Sequence, residues 1–177
     1  MSLQTSLLHL LRDIPDFPKP GIVFKDITPL LAQPGMRKKV VEELTAPYVG
    51  TPVDALVAVE ARGFIFGSLL AQELNVPFIP VRKAGKLPYR KIKEDYALEY
   101  GTATLEMHED AIHKDMNVII HDDVLATGGT ALAAAAMVRR LGGRVAGFSF
   151  LINLGFLPGR DRLTAEFGLE PHYLVNV

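Results

Sequence analysis

Hydrophobic residues recur along this chain in two rhythms, and the switching between them predicts the architecture. Leu3, Leu7, Leu8, Leu10 and Leu11 suit one side of an opening helix, which the Pro15 and Pro18 region must stop. DFPKPGIVFKDITP has no period and several Pro and Gly residues, so it predicts an irregular surface crossing. Helical spacing returns between Met36 and Leu44, with Met36, Val40, Val41 and Leu44 on a common side. DALVAVE is a short, nearly continuous apolar run of strand length. It is followed by a helix that begins near Gly63 and ends before Pro77, and VPFIPV is the next strand.

The rhythm then breaks. RKAGKLPYRKIKED, from Arg82 to Asp95, carries six basic residues, a Gly and a Pro without an apolar period, and predicts a long mobile loop. YALEYGTATLEMH resumes alternation and predicts one extended strand, bent at Gly101. NVIIHDD reads as a further buried strand. TALAAAAMVRRL is a helix favoured by its Ala run, with Leu132, Ala136 and Leu141 among its buried positions. VAGFSFLIN closes the series as another strand. Strands near residues 55, 78, 118 and 145, separated by helices or a loop, imply an α/β class with a mostly parallel central sheet flanked by helices. No linker or internal repeat divides the chain, so residues 1–177 are expected to form one domain.

Composition narrows the function classes. Of 177 residues 49% are apolar, enough for one sizeable core and too many for a disordered chain. Nineteen basic against 20 acidic residues leave a formal charge of -1, which argues against general affinity for nucleic acid or anionic membrane. The absence of cysteine excludes disulfides, thiolate nucleophiles and zinc–thiolate sites. The first residues lack the basic start of an export signal, and AGFSFLINLGFLP is too short and too interrupted to span a bilayer. A cytoplasmic protein is the expectation.

VIIHDDVLATGGT, from Val118 to Thr130, is the sharpest chemical feature. In an open parallel sheet, ligands sit at the carboxyl ends of the strands, and Asp122 and Asp123 leave the strand there. Ala126, Thr127, Gly128, Gly129 and Thr130 then enter a helix whose first amides lack internal acceptors. Two glycines let backbone approach an oxyanion closely and the threonines add hydroxyl donors, making a compact phosphate cradle. Carboxylates beside it would repel phosphate itself; they suit sugar hydroxyls or a cationic carbon. No GxGxxG follows a strand, and ATGGT lacks the Gly-Lys-Ser/Thr ending of a nucleoside triphosphate loop. An ordinary capped glycine turn is the bland alternative, and it leaves the coincidence of these features unexplained.

IIHDDVLATGGT resembles the phosphoribosyl-diphosphate motif of the type I phosphoribosyltransferases. FPKPGIVFKDITPLL, VEARGFIFG, RKAGKLP and YALEYG resemble, in the same order, segments of the adenine-specific family, so the resemblance touches the chain from about residue 17 to 130. His121 departs from the hydrophobic residue expected before the Asp pair, and the tail after Pro158 carries little of the likeness. The resemblance implies the type I fold with a mobile active-site loop and a small N-terminal hood. It also implies transfer of a phosphoribosyl group from 5-phosphoribosyl diphosphate to adenine, giving AMP and diphosphate. Related transferases of 6-oxopurines, and a non-catalytic sensor of purine or phosphoribosyl diphosphate, are the competing readings.

By the same resemblance Ala126 to Thr130 hold the 5-phosphate, and Asp122 and Asp123 face the ribose hydroxyls and steady cationic character at the anomeric carbon. Arg62 lies near the diphosphate; taken by itself, a charge between a buried strand and a helix wants a partner, and a structural ion pair serves as well. Arg82, Lys83 and Lys86 offer several cationic donors to the diphosphate, with Mg2+ held mainly by substrate oxygens and water. Arg82 is implied to reach the neighbouring site of a homodimer. Arg90, Lys91 and Lys93 read more simply as a solvated charge run. Glu99 is the implied acid–base residue at the purine and Tyr100 helps close the site. Phe24 can stack on a planar base while the Val23 and Lys25 main chain reads its edge, although core packing also explains Phe24. His9, His108, His113 and His172 have no metal-ligand spacing.

Overall fold

The computed structural model describes residues 2–97 and 101–177. Ser2 caps the opening helix α1 (Leu3–Leu10), its side chain accepting the Thr5 amide at 3.1 Å. Strands β1 (Arg12–Pro15) and β2 (Val23–Asp26) then form an antiparallel two-stranded ribbon in which Ile14 faces Phe24. The expected irregular crossing is therefore a hairpin. Its pairing connects residues on either side of the Pro-rich turn, which local periodicity does not reveal. This ribbon stands where the N-terminal hood was expected.

Helices α2 (Thr28–Leu31) and α3 (Pro34–Thr45) lead to β3 (Ala55–Val59), α4 (Gly63–Glu73) and β4 (Phe78–Lys83). Next come β5 (Lys91–Ala97), β6 (Thr102–His108), β7 (Asn117–Leu125) and α5 (Gly129–Arg140). β8 (Arg144–Asn153), α6 (Gly159–Phe167) and β9 (His172–Asn176) complete the chain. The main sheet has the order β5-β6-β4-β3-β7-β8-β9, parallel from β4 through β9 and antiparallel at the β5–β6 edge. The α/β expectation, a mostly parallel sheet under helices, is met.

Two expectations near the edge are corrected. The long loop spans only the residues between β4 and β5, because Lys91 to Asp95 pair with β6, from Lys91 opposite His108 to Asp95 opposite Thr104. Within YALEYGTATLEMH, Tyr96 and Ala97 end β5 and Thr102 to His108 form antiparallel β6, so its described residues belong to two strands rather than one bent strand. The basic residues hid the β5 pattern because Lys91 and Lys93 take alternate strand positions facing a carboxylate, Glu106, where an apolar alternation would otherwise mark a strand.

Alternate residues of the central strands feed two cores. Ala55, Val57 and Val59 join Val118, Ile120, Phe148 and Phe150 on the α5 face, while Leu56, Ala58 and Ile119 meet Phe66, Leu70 and Leu151 on the other. Burial on both faces explains why these strands read as unbroken apolar runs. In α5 the buried positions are Gly129, Ala131, Ala133, Ala134, Ala135, Met137 and Val138; Leu132, Ala136 and Leu141 are only partly covered. The expected phase was off by one position because the small Ala side chains, not the leucines, lie closest to the sheet. Helix α6 and strand β9 were not anticipated: α6 buries only Gly159 and Leu163, and β9 only Val175, too little to leave a periodic signal.

Candidate functional site

Parallel β3, β4 and β7 deliver their carboxyl ends to one edge, and a cavity of ≈ 470 Å³ opens there. Glu60 and Arg62 enter it from the turn after β3, Lys83 from the end of β4, and Asp122, Asp123 and Thr130 from β7 and the start of α5. A smaller hollow of ≈ 60 Å³ adjoins it over Ala126 to Thr130. The structure thus brings the carboxylate pair and the glycine turn together at the strand ends, as the sequence implied.

The glycine turn is shaped by its backing. Gly128 has φ +80, and a side chain there would meet the Gly159 backbone at 3.2 Å. At Gly159 a Cβ would come within 2.2 Å of the Ala126 carbonyl oxygen, so the two segments touch through backbone alone. The Gly159 amide donates to the Ala126 carbonyl at 3.0 Å, and Arg162 Nη1 donates to the Thr127 carbonyl at 2.6 Å. With carbonyls tied down on the α6 side, the opening amides of α5 are available to an anion on the other side. Gly159 and Arg162 escaped the sequence reading. The Pro158-Gly159 pair signals a turn, but its partnership with residues more than thirty positions earlier has no local trace.

Asp122 Oδ1 accepts the Asp123 amide at 2.8 Å. Burial, followed by the neighbouring Asp123 charge, raises the Asp122 carboxyl well above the ordinary value. Burial raises Asp123 as well, while Arg62 opposes the shift. Arg62 is the hub of the site: its Nε lies 2.7 Å from Asp123 Oδ2, its Nη1 donates to the Lys25 carbonyl at 3.2 Å, and its Cζ sits 4.5 Å from the Phe24 ring centroid. The ribbon is thereby fastened over the end of β7. Phe24 also meets Phe17 edge-on, at 5.2 Å between centroids. Val23 is exposed, and the Lys25 ammonium turns to Asp13 at 2.7 Å, away from the cavity.

Arg82 and Lys86 converge on Glu60. Arg82 Nε lies 2.6 Å from Glu60 Oε2, Lys86 Nζ lies 3.1 Å from Oε1, and Arg82 Nη1 donates to the Lys86 carbonyl at 2.8 Å. Burial pushes the Glu60 carboxyl up, but these two cations outweigh it and the net shift is downward. Lys83 is exposed at the cavity rim. Glu99 and Tyr100 lie outside the described residues. Among the described residues no group of three or more His, Asp or Glu is placed to hold a metal ion, and no helix is long and apolar enough to cross a membrane.

Residues 30–165 match the phosphoribosyl transferase domain. Over 165 residues the chain is 56% identical to the adenine phosphoribosyltransferase of Myxococcus xanthus, covering 93% of this chain and 90% of that protein. Its fold is similar to the crystal structure of adenine phosphoribosyltransferase from Rhodothermus marinus, with a TM-score of 0.93 at 48% identity over 99% of this chain and 98% of that one. The Saccharomyces cerevisiae enzyme, complexed with an imino-altritol bisphosphate and adenine, gives a TM-score of 0.89 at 38% identity over 97% and 98% of the two chains.

Proposed function

Because this chain belongs to the phosphoribosyl transferase domain family, and within it to the adenine phosphoribosyltransferases, we infer how its residues divide the transfer of a 5-phosphoribosyl group to N9 of adenine. The observation that carries the assignment is the junction of the Asp122–Asp123 pair with the Ala126–Thr130 cradle beneath a ribbon bearing Phe24. Amides and hydroxyls of Ala126 to Thr130 receive the 5-phosphate. Asp122 and Asp123 accept hydrogen bonds from the 2- and 3-hydroxyls and face the carbon that becomes cationic as the diphosphate departs. Arg62, Arg82, Lys83 and Lys86 stabilise the charge of the leaving group.

Phe24 offers a stacking face to the purine, with the Val23 and Lys25 main chain along its edge. The Lys25 carbonyl is already bonded to Arg62, so base recognition through that oxygen requires the guanidinium to move aside. Glu99 takes or relays the proton lost from the purine, and Tyr100 helps exclude water. A bound Mg2+ would neutralise charge on the diphosphate, taking its ligands chiefly from substrate and water, with Asp122 and Asp123 as the nearby carboxylates. The proposal includes a homodimer in which Arg82 serves the neighbouring site; that role requires its pair with Glu60 to open. It also includes a cytoplasmic setting.

Competition among adenine, hypoxanthine, guanine and xanthine tests base choice. A site built for adenine's amino donor leaves groups unmatched when a 6-oxopurine replaces it, so kcat/KM should favour adenine by a factor of roughly 10⁴, as sites built around a substrate donor do. Equal values for adenine and hypoxanthine would overturn the assignment in favour of a 6-oxopurine transferase.

A further inference from the structure

Between β4 and β5 the chain makes a basic turn that carries Lys86 and begins beside Lys83. This turn is pinned from beneath by one carboxylate, Glu106 on β6, which is 1% exposed. Glu106 sits opposite Arg82 in the β4–β6 register. Its Oε2 accepts the Gly85 amide at 3.1 Å and lies 3.5 Å from Lys91 Nζ. Its Oε1 lies 3.6 Å from Lys93 Nζ and has no hydrogen-bond donor among the described residues. Lys91 Nζ in turn donates to the Leu87 carbonyl, tying the far side of the turn to the same cluster. Burial pushes this carboxyl up, but the Gly85 amide, Lys91 and the Leu87 amide outweigh it and hold it below its usual range.

A fully buried carboxylate is costly unless it is paired and hydrogen-bonded. Here its partners all belong to, or adjoin, the segment that starts beside Lys83 at the cavity rim and carries Lys86, which is paired with the cavity residue Glu60. Lys91 and Lys93, read from the sequence as a solvated charge run, are the counter-charges of that buried group. The Gly85 amide that Glu106 grips belongs to a residue at φ +82, with nothing within 4 Å of where a Cβ would stand. At Gly85 itself the backbone is held by this hydrogen bond and its own twist rather than by side-chain packing, while buried Leu87 and the Ala84 amide, donated to the Thr104 carbonyl at 3.0 Å, seat the rest of the turn. At its other end, Arg82 fixes the Lys86 carbonyl and both cations meet Glu60.

We propose that Glu106 is a positioning residue: its charge fixes the shape of the Gly85–Lys86 turn and so places the cations that receive the diphosphate, without itself touching substrate. The inference rests on the diphosphate-facing role assigned to Lys83 and Lys86 above. Glu106→Gln keeps an acceptor for the Gly85 amide but removes the charge that balances Lys91 and Lys93. Gly85→Ala disfavours the positive φ without introducing a clash and leaves the buried cluster chemically intact.

The readouts are KM for 5-phosphoribosyl diphosphate, KM for adenine, kcat, and calorimetric binding of inorganic diphosphate to the intact protein. Both variants are expected to raise KM for 5-phosphoribosyl diphosphate and weaken diphosphate binding roughly tenfold, the scale of one charge-assisted hydrogen bond. The adenine KM and kcat should stay within about twofold. A fall in kcat with both KM values unmoved, or an equal rise in both KM values, overturns the proposal, because a merely structural carboxylate acts on the active fraction or on the whole site. If Glu106→Gln does not fold, Gly85→Ala decides by the same criterion. Lys86→Gln is run alongside. If it is silent, the diphosphate role of the turn is wrong and the inference falls with it. If it is effective while Glu106→Gln and Gly85→Ala are silent, the inference alone is overturned.

Discussion

Replacing His121 by leucine should flatten the loss of stability in acid. His121 is fully buried on β7, with Nδ1 in a hydrogen bond to Ser149 Oγ at 3.3 Å and Nε2 without a partner among the described residues. Burial pushes its pKa down to about 3 from 6.5. The unfolded chain therefore binds the proton over the range in which the folded chain refuses it. The stability this neutral ring contributes is complete above about pH 6.5 and is lost progressively as pH falls towards about 3. Each unit in that window costs about 1.4 kcal/mol, so acidifying from pH 8 to 5 removes about 2 kcal/mol through this group alone.

Asp122 and Asp123 act with the opposite sign: their raised folded pKa values make acidification stabilising through that pair. They are present in parent and variant alike, so their contribution cancels in the difference. His121→Leu also strands the Ser149 hydroxyl, which lowers stability by about 1–3 kcal/mol at every pH and leaves the slope untouched. Urea unfolding of parent and variant at fixed protein concentration, at several pH values from 8 to 5, gives the difference directly. The variant should gain about 2 kcal/mol on the parent across that interval. A difference that stays flat would refute the reasoning and require the folded ring to accept its proton near the ordinary value.

The remaining expectations concern the site. Asp122→Asn and Asp123→Asn preserve volume while removing charge, and at least one should lose most transferase activity with the folded state retained, as judged by kcat/KM beside circular dichroism; near-parental kcat/KM in both would remove the pair from sugar recognition. Arg162→Gln breaks the hold on the Thr127 carbonyl from an exposed position, and should raise KM for 5-phosphoribosyl diphosphate roughly tenfold, at the low end for a charged hydrogen bond, while adenine KM stays put. Glu99→Gln should slow the chemical step about 100-fold in single-turnover assays while direct binding of 5-phosphoribosyl diphosphate persists; an unchanged chemical rate would exclude the residue from proton transfer.

Features legible in the sequence are those that short-range physics writes into neighbouring residues. Doubly buried strands must be apolar at successive positions, so ALVAV and NVIIH announce the parallel sheet, and a helix start open to an anion needs small residues and hydroxyls in a row, as in ATGGT. Nothing near Arg62 in the chain foretells that its guanidinium spans Asp123, the Lys25 carbonyl and the Phe24 ring. Each of those partners lies far away in sequence and is brought near only by sheet order and the folded ribbon. Glu106 shows the same limit from the other side: in TATLEMH it occupies an unremarkable strand position, and only the hairpin that lays β6 between β4 and β5 turns it into the buried anchor of the basic turn. Helix α6 was obscured because it backs the Ala126–Gly128 turn through backbone contact and one exposed arginine rather than through buried apolar area. Hydrophobic patterning records which faces leave water; which polar groups then meet is decided by the closure of long loops, and that is settled only in the tertiary structure.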